Sequence, residues 1–111
     1  MLHKMKLNSD PFIKIKSGKK TVELRLYDEK RQKLKSGDKI EFTNVKTGET
    51  LVCNVKCLYT FPYFEELYKH FDKVSIGYDE DETADFKDME QYYSKEDEIK
   101  YGTVGIDIEL I

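Results

Sequence analysis

The chain has 111 residues, of which 39% are hydrophobic, 13% aromatic and 37% charged, and its formal net charge is −3. This length suits a single domain over residues 1–111. No apolar run approaches the roughly 18 residues of a membrane-spanning helix, and the N-terminus lacks the apolar stretch of a secretory signal. We therefore expect a cytoplasmic protein that does not enter membranes. The net charge argues against avid nonspecific binding to nucleic acid.

Charge is distributed unevenly along the chain. Residues 1–60 carry 14 basic and seven acidic side chains, whereas residues 61–111 carry five basic and 15 acidic ones. A basic half that forms one wall of a cleft would attract an anion. Alternatively, the two halves neutralise each other when they pack together in one fold. The sequence leaves both arrangements open.

The first part of the chain predicts a strand, a short helix and a second strand. Residues 2–7 alternate weakly, as in a strand. Asn8 and Pro11 mark a helix start, and Gly18 ends that helix in a left-handed conformation. Residues 21–27 alternate as a second strand, with one face expected in the core and one polar face. The apolar face carries Val22, Leu24 and Leu26, and the polar face carries Thr21, Glu23, Arg25 and Tyr27.

The middle of the chain predicts a surface turn followed by a β-hairpin. Residues 28–34 are too polar for a core element and predict a short surface helix. Residues 39–44 alternate as a strand, and Gly48 lies in the hairpin turn that follows. Residues 50–59 form the longest predicted strand. Its expected inward side chains are Leu51, Cys53, Val55, Cys57 and Tyr59.

The last part of the chain predicts helices and a closing strand. Residues 63–71 follow helical spacing, residues 73–83 form a loop with four consecutive acids, and a second helix lies near residues 84–93. Residues 94–98 form a capped turn, and residues 103–111 alternate as a strand. Strands with helices at separate points favour an α+β fold. We expect the inward residues of strands 21–27, 50–59 and 103–111 to meet in one barrel core.

The two cysteines do not indicate a disulfide or a metal site. Cys53 and Cys57 lie about 13 Å apart along a strand, which is too far for a disulfide. The only histidines are His3 and His70, so no zinc-ligand set is present. We expect both cysteines to be small buried hydrophobes, and we expect no metal and no cofactor.

Three charged residues near the second strand form the main candidate site. Lys20 follows a glycine turn, and Glu23 and Arg25 lie two residues apart on one strand face. Such a group recognises a polar ligand, activates water, or forms an ordinary surface ion pair. Tyr27 and Tyr59 are candidates for stacking on a base.

The same residues carry a family resemblance. Gly18, Lys20, Glu23 and Arg25 reproduce the pattern G-x-K-x-x-E-x-R, which resembles the hallmark of the ASCH family, and residues 36–42 and 101–108 resemble two of its strands. The resemblance implies a small PUA-like β-barrel with flanking helices. It also implies an RNA- or modified-nucleoside-binding protein with a polar cleft around the motif. The candidate ligand-binding residues are Gly18, Lys20, Thr21, Glu23, Arg25, Tyr27 and Tyr59.

Some small members of this superfamily are amidohydrolases that remove the acetyl group from N4-acetylcytidine. The resemblance maps their catalytic lysine onto Lys20, but it puts Glu23 where they carry threonine. Lys20 and Glu23 are therefore candidate catalytic residues, and the run Asp79 to Glu82 is the candidate region for their third residue, an acid. A third alternative is a protein-interaction module that uses the acidic second half. The sequence does not determine the oligomeric state.

Overall fold

A computed structural model describes residues 1–111 as one five-stranded sheet with short helices around it. The strands are β1 (Leu2–Leu7), β2 (Val22–Leu26), β3 (Lys39–Asn44), β4 (Thr50–Phe61) and β5 (Thr103–Leu110). The helices are α1 (Ser9–Lys16), α2 (Phe64–His70) and α3 (Lys95–Tyr101), with 3-10 turns at Arg31–Lys33 and Phe86–Gln91. None of these helices combines the length and the apolar character that a membrane crossing requires.

The sheet is a curled half-barrel with two edges. Its strand order is β1-β3-β4-β5-β2, so β1 and β2 are the edge strands. β1 runs parallel to β3, and the other neighbours are antiparallel. Two side chains reach from β2 and the segment after it to the backbone of β1: Arg25 Nη2 donates to the carbonyl of Lys6 at 2.8 Å, and Lys30 Nζ donates to that of Lys4 at 2.7 Å. This architecture confirms the predicted α+β class.

Helix α1 forms as the sequence predicts. Phe12 and Ile15, three residues apart, lie on one helix face and are buried against the sheet. Gly18 follows the helix with φ of 85°, the left-handed conformation that glycine adopts without steric cost. The chain therefore reverses at Gly18 and enters β2 with Lys20 beside the end of the helix.

The apolar side chains form two cores, so the prediction of one barrel core is wrong. The larger core contains residues of α1, β1, β3, β4 and β5, among them Phe12, Val55 and Ile106. The smaller core contains Val22, Leu24 and Leu26 with Phe64, Leu67 and Ile76. The register gives the reason, because Glu23 pairs with Ile106 and therefore shares its face of the sheet. The polar face of β2 lies on the side of the larger core, and its apolar face turns towards α2.

A bulge in β4 also corrects the predicted inward face of that strand. Val55 pairs with Ile108, but Cys57 pairs with Asp107, so Lys56 is an extra residue in β4. After the bulge Leu58, not Cys57, packs against the larger core. Tyr59 turns to the opposite side, where its ring lies 5.5 Å from that of Phe71. The prediction that Cys57 and Tyr59 continue the inward face is therefore wrong.

The predicted second helix near residues 84–93 is a 3-10 turn over Phe86–Gln91. The carboxylate of Asp85 accepts a hydrogen bond from the Lys87 amide at its start. Phe86, Met89 and Tyr93 pack against the smaller core, although the segment is a 3-10 turn and not an α-helix. The segment lies beside β2 and forms one wall of the site described next.

Candidate functional site

A cleft of about 520 Å³ opens beside α1, β2 and the segment from Ile76 to Tyr93. Its lining contains four basic and four acidic side chains: Lys6, Lys14, Lys20, Arg25, Asp10, Glu23, Glu82 and Asp88. It also contains four tyrosines: Tyr68, Tyr78, Tyr92 and Tyr93. The cleft therefore combines balanced charge with aromatic walls.

Lys20, Glu23 and Arg25 form a linked ion triad in this cleft. Lys20 Nζ lies 3.2 Å from Glu23 Oε1, and Arg25 Nε donates to Glu23 Oε2 at 2.7 Å. Their side chains are 7%, 6% and 14% exposed, respectively. This burial distinguishes the triad from an ordinary surface ion pair, whose charges are largely screened by water.

The loop after α2 holds Lys20 in place. The carbonyl of Ile76 accepts a hydrogen bond from Lys20 Nζ at 3.1 Å, and the carbonyl of Ser75 accepts from the amides of Thr21 and Val22 at 2.9 and 3.0 Å. Gly77 has φ of 115°, and a Cβ atom there would lie 3.4 Å from Lys20 Nζ. Glycine therefore lets the loop backbone approach the lysine closely.

Lys14 joins the acidic loop to α1. Its Nζ donates to the carbonyl of Gly77 at 2.7 Å and lies 3.4 Å from carboxylate oxygens of both Asp10 and Asp79. Burial opposes the charge of Lys14, but these carboxylates outweigh burial and raise its pKa. Glu82, 3.9 Å from the same ammonium, lines the cleft. The basic and acidic halves of the chain thus meet here.

Electrostatic coupling keeps two members of the triad ionised at neutral pH. Burial opposes the charge of Glu23, but Lys20 and Arg25 outweigh it and hold the pKa of Glu23 below its usual range. Burial also opposes the charge of Arg25, and the carboxylate of Glu23 outweighs it and raises the pKa of Arg25. A protein interior stabilises such charges only when they are paired and hydrogen-bonded.

The tyrosines form the aromatic wall of the cleft. Tyr78 Oη donates to Asp88 Oδ2 at 2.7 Å and lies 2.9 Å from Tyr68 Oη. Burial raises the pKa of both phenols, so they stay protonated. Tyr93 stacks on Phe64 at 5.8 Å. These rings come to β2 from distant parts of the chain. Local sequence patterns do not reveal such contacts, and they predict Tyr27 and Tyr59 as the stacking residues instead.

Several residues predicted for the site lie outside the lining of this cleft. Gly18 and Thr21 border a second concavity of about 310 Å³, and Lys20 lines both this concavity and the cleft. Tyr27 packs against the larger core, and the ring of Tyr59 lies 5.2 Å from that of His70. Of the predicted site residues, the cleft therefore contains Lys20, Glu23 and Arg25, whereas Gly18, Thr21, Tyr27 and Tyr59 lie outside its lining.

The cysteines and histidines do not form a metal centre. Cys53 is buried, Cys57 is half-buried, and both are free thiols. Burial raises the pKa of Cys53 to about 11, so its thiolate form is scarce at neutral pH. No group of three or more His, Cys, Asp or Glu side chains is arranged to hold a metal ion.

Comparison with known proteins identifies the family. The model of the ASCH domain matches residues 5–111. The crystal structure of the hypothetical protein PH0355 is similar to this chain with a TM-score of 0.85 and 34% sequence identity over 100% of both chains. The solution structure of protein PF0455 from Pyrococcus furiosus is similar with a TM-score of 0.76 and 31% identity over 100% of this chain and 98% of that one. No curated protein matches the chain. Because the family match covers nearly the whole sequence, the chain belongs to the ASCH domain family.

Proposed function

We propose that the cleft binds the base of an RNA or of a modified nucleoside. The observation that carries this proposal is the buried triad of Lys20, Glu23 and Arg25 beside a wall of tyrosines. The volume of about 520 Å³ falls within the range of small-molecule sites, about 300–1,000 Å³. A base or nucleoside fits a cleft of this size.

The triad offers hydrogen-bond donors to a ligand. Both oxygens of Glu23 are already engaged, so its role is to orient Lys20 and Arg25. Arg25 donates within the protein from Nε and Nη2, which leaves Nη1 for a ligand. An ammonium has three donors and a guanidinium five. Carbonyl oxygens on the edge of a base are suitable acceptors for both groups.

The balanced charge of the lining favours an uncharged ligand group over a polyanion. Four cations and four carboxylates share the cleft, whereas a track for a nucleic-acid backbone requires an excess of positive charge. Any phosphate attached to the base would therefore lie outside the cleft.

The aromatic wall supplies surfaces for stacking. Tyr92 lines the cleft and is 57% exposed, so its ring is accessible to a ligand. Stacking of a base on an aromatic side chain contributes about 1–3 kcal/mol. Tyr92 is therefore the ring that we expect to contact the bound base.

Calorimetric titration of cytidine, N4-acetylcytidine and a short single-stranded RNA tests the proposal. We expect at least one of them to bind, and Tyr92→Ala to weaken binding by about 5–150-fold, the equivalent of 1–3 kcal/mol. Tyr63→Ala is the matched control, because Tyr63 is 39% exposed but does not line the cleft. Absence of binding by all three ligands, or an equal loss in both variants, would contradict the proposal.

Hydrolysis of an amide such as N4-acetylcytidine is the second candidate function, favoured by the contact between Lys20 and Glu23 in the cleft. Water would add to the acetyl carbonyl carbon, the bond to N4 would break, and the released amine would take a proton as acetate leaves. Glu23 is a weak base here because its pKa is low and both of its oxygens are engaged. Thr21 does not line the cleft. Binding without hydrolysis is therefore ranked first.

Chromatographic detection of cytidine after incubation with N4-acetylcytidine separates the two candidates. A hydrolase releases cytidine, and Lys20→Ala abolishes the release. Glu23→Thr restores the residue that the related deacetylases carry, so a gain of activity in this variant would indicate a deacetylase scaffold that has lost its threonine. Inactivity of both the wild type and a folded Glu23→Thr variant would eliminate the hydrolase.

A further inference from the structure

The edge of β1 beside the cleft carries cations that lack carboxylate partners. Lys4 and Lys6 are exposed on β1, and the exposed Lys30 donates to the carbonyl of Lys4. The nearby carboxylates are engaged elsewhere, Asp28 with Arg31 at 3.1 Å and Glu23 with Arg25 at 2.7 Å. Glu41, the register neighbour of Lys4 in β3, is a single carboxylate beside three lysines. The edge therefore has an excess of positive charge.

Lys30 and the triad residue Arg25 are held at a fixed spacing along this edge. Lys30 Nζ contacts the carbonyl of Lys4, and Arg25 Nη2 contacts that of Lys6. Carbonyls two residues apart in a strand are separated by roughly 6.6 Å and point to the same side. The backbone of β1 thus holds an ammonium and a guanidinium side by side, and both have donors left over.

These cations lie close enough to repel one another. The pKa of Lys30 lies below its usual value because its ammonium loses part of its hydration and because Arg31 and Arg25 are positively charged, with Asp28 acting in the opposite direction. An anion placed between the ammonium and the guanidinium would relieve this repulsion. A phosphate suits the position, because guanidinium and ammonium groups are its usual protein donors.

We propose that the β1 edge, with Lys30 and Arg25, is a phosphate-binding site next to the cleft. Lys6 and Arg25 also line the cleft, so a phosphate held at the edge can belong to the same molecule as a base held in the cleft. The cleft, with its balanced charge, suits the uncharged base of a nucleotide, and the positive edge suits its phosphate. The identity of the molecule that carries the phosphate rests on the proposed function. The phosphate contact itself does not depend on it.

Titration of ¹⁵N-labelled protein with inorganic phosphate at low salt, followed by two-dimensional NMR, tests the phosphate contact alone. We expect saturable shifts of the amide signals of residues 4–6 and 28–31, and at least fivefold weaker binding by Lys30→Gln. Lys33→Gln is the matched control, because it removes an exposed lysine of the neighbouring 3-10 turn. Non-saturable shifts, or equal binding by the wild type and Lys30→Gln, would overturn the proposal.

A second set of titrations separates this proposal from the proposed function. Cytidine tests the cleft alone, and cytidine 5′-monophosphate and a short RNA test both sites together. Tighter binding of a phosphorylated ligand than of cytidine, lost in Lys30→Gln, supports the phosphate site, and the ligand with the larger gain identifies the source of the phosphate. Cytidine binding with no gain from phosphate would refute the phosphate site alone. Saturable phosphate binding without binding of any nucleoside or RNA would refute the cleft function alone.

Discussion

Glu23 accepts a hydrogen bond from Arg25, two residues further along β2. Both side chains lie on the face of the sheet that also carries their register partners in β5, the buried residues Ile106 and Val104. Many strands bury only their apolar face, but both faces of β2 are buried. Val22, Leu24 and Leu26 fill the smaller core, and the charged side chains of Glu23 and Arg25 are buried on the opposite face. The charged face is stable there only because each ionised group has a partner. The triad is therefore part of the folded structure as well as the floor of the cleft.

Removal of the central carboxylate should destabilise the protein strongly. Glu23→Ala leaves the side chains of Lys20 and Arg25 buried without their anion, and loss of one partner of a buried ion pair costs about 3–5 kcal/mol. Glu23→Gln keeps an acceptor oxygen and should cost less. Urea unfolding measures both effects, with Glu109→Ala as the exposed control, for which we expect a change within about 0.5 kcal/mol. A Glu23→Ala protein as stable as the control would show that the triad is not a structural element.

Arg25 should contribute to RNA binding in a salt-dependent manner. Because its guanidinium lies at both the cleft and the β1 edge, Arg25→Ala should lower RNA affinity. It should also flatten the dependence of log affinity on log salt by about one unit, the amount for one lost phosphate contact. Fluorescence anisotropy at several salt concentrations measures the slope. Lys33→Ala controls for the loss of one surface charge, and an unchanged slope in Arg25→Ala would exclude the phosphate contact.

Asp38, which contacts the start of the chain, should make the free energy of unfolding decrease at acid pH. Asp38 is hydrogen-bonded to His3 at 2.9 Å and accepts from the Lys35 amide and the N-terminal amine. These contacts, that of His3 foremost, lower its pKa to about 2. Because an unfolded aspartate has a pKa of about 3.9, the unfolded state binds more protons between these values. The stabilisation by Asp38 is therefore complete above about pH 4 and is lost as pH falls towards 2.

Thermal unfolding of the wild type and Asp38→Asn between pH 2 and pH 6 measures this effect. We expect the wild type to be the more stable protein at pH 6 and the difference to shrink below about pH 4. Asp81→Asn, in the exposed acidic loop, provides the control for the general effect of charge. A difference that stays constant down to pH 2 would contradict the assignment.

Gly105 in β5 should be intolerant of a side chain. A Cβ atom there would lie 2.6 Å from Cε2 of Phe71 and 3.3 Å from Cγ1 of Val22, so Gly105→Ala overpacks the interface between β5 and the segment after α2. Overpacking typically costs about 1–3 kcal/mol. In a Phe71→Leu background, Gly105→Ala should lower the free energy of unfolding by clearly less, because the obstructing ring is absent. Urea unfolding of the four proteins in this cycle gives the coupling, and strictly additive effects would show that Phe71 is not the obstacle.

The alternation of side chains was sufficient to predict all five strands, because a strand buried on one face repeats every two residues. It was not sufficient to predict which core each face enters. Both faces of β2 are buried, and its register with β5, which no local pattern encodes, decides that Glu23 lies opposite Ile106. The bulge at Lys56 likewise has no glycine or proline beside it, so no local pattern predicts that the inward face of β4 reverses after it.

The site was predictable only in part, for a similar reason. Lys20, Glu23 and Arg25 are close in sequence, and their spacing on a turn and strand indicated a shared cluster. Tyr92 and Ile76 reach the same cleft from more than 50 residues away, and such contacts depend on how the loop after α2 folds back. Gly77, a single glycine in a polar loop, was the one local signal of this close approach.

Photochemical cross-linking locates a bound base on the protein. A short RNA that contains 4-thiouridine can be cross-linked to the protein by ultraviolet light, and mass spectrometry then locates the modified peptide. We expect cross-links to cleft residues, above all Tyr92 and Tyr93, and we expect these cross-links to be lost when cytidine competes. Cross-links confined to the aromatic cluster of Tyr59, His70 and Phe71, which lies outside the cleft, would contradict base binding in the cleft.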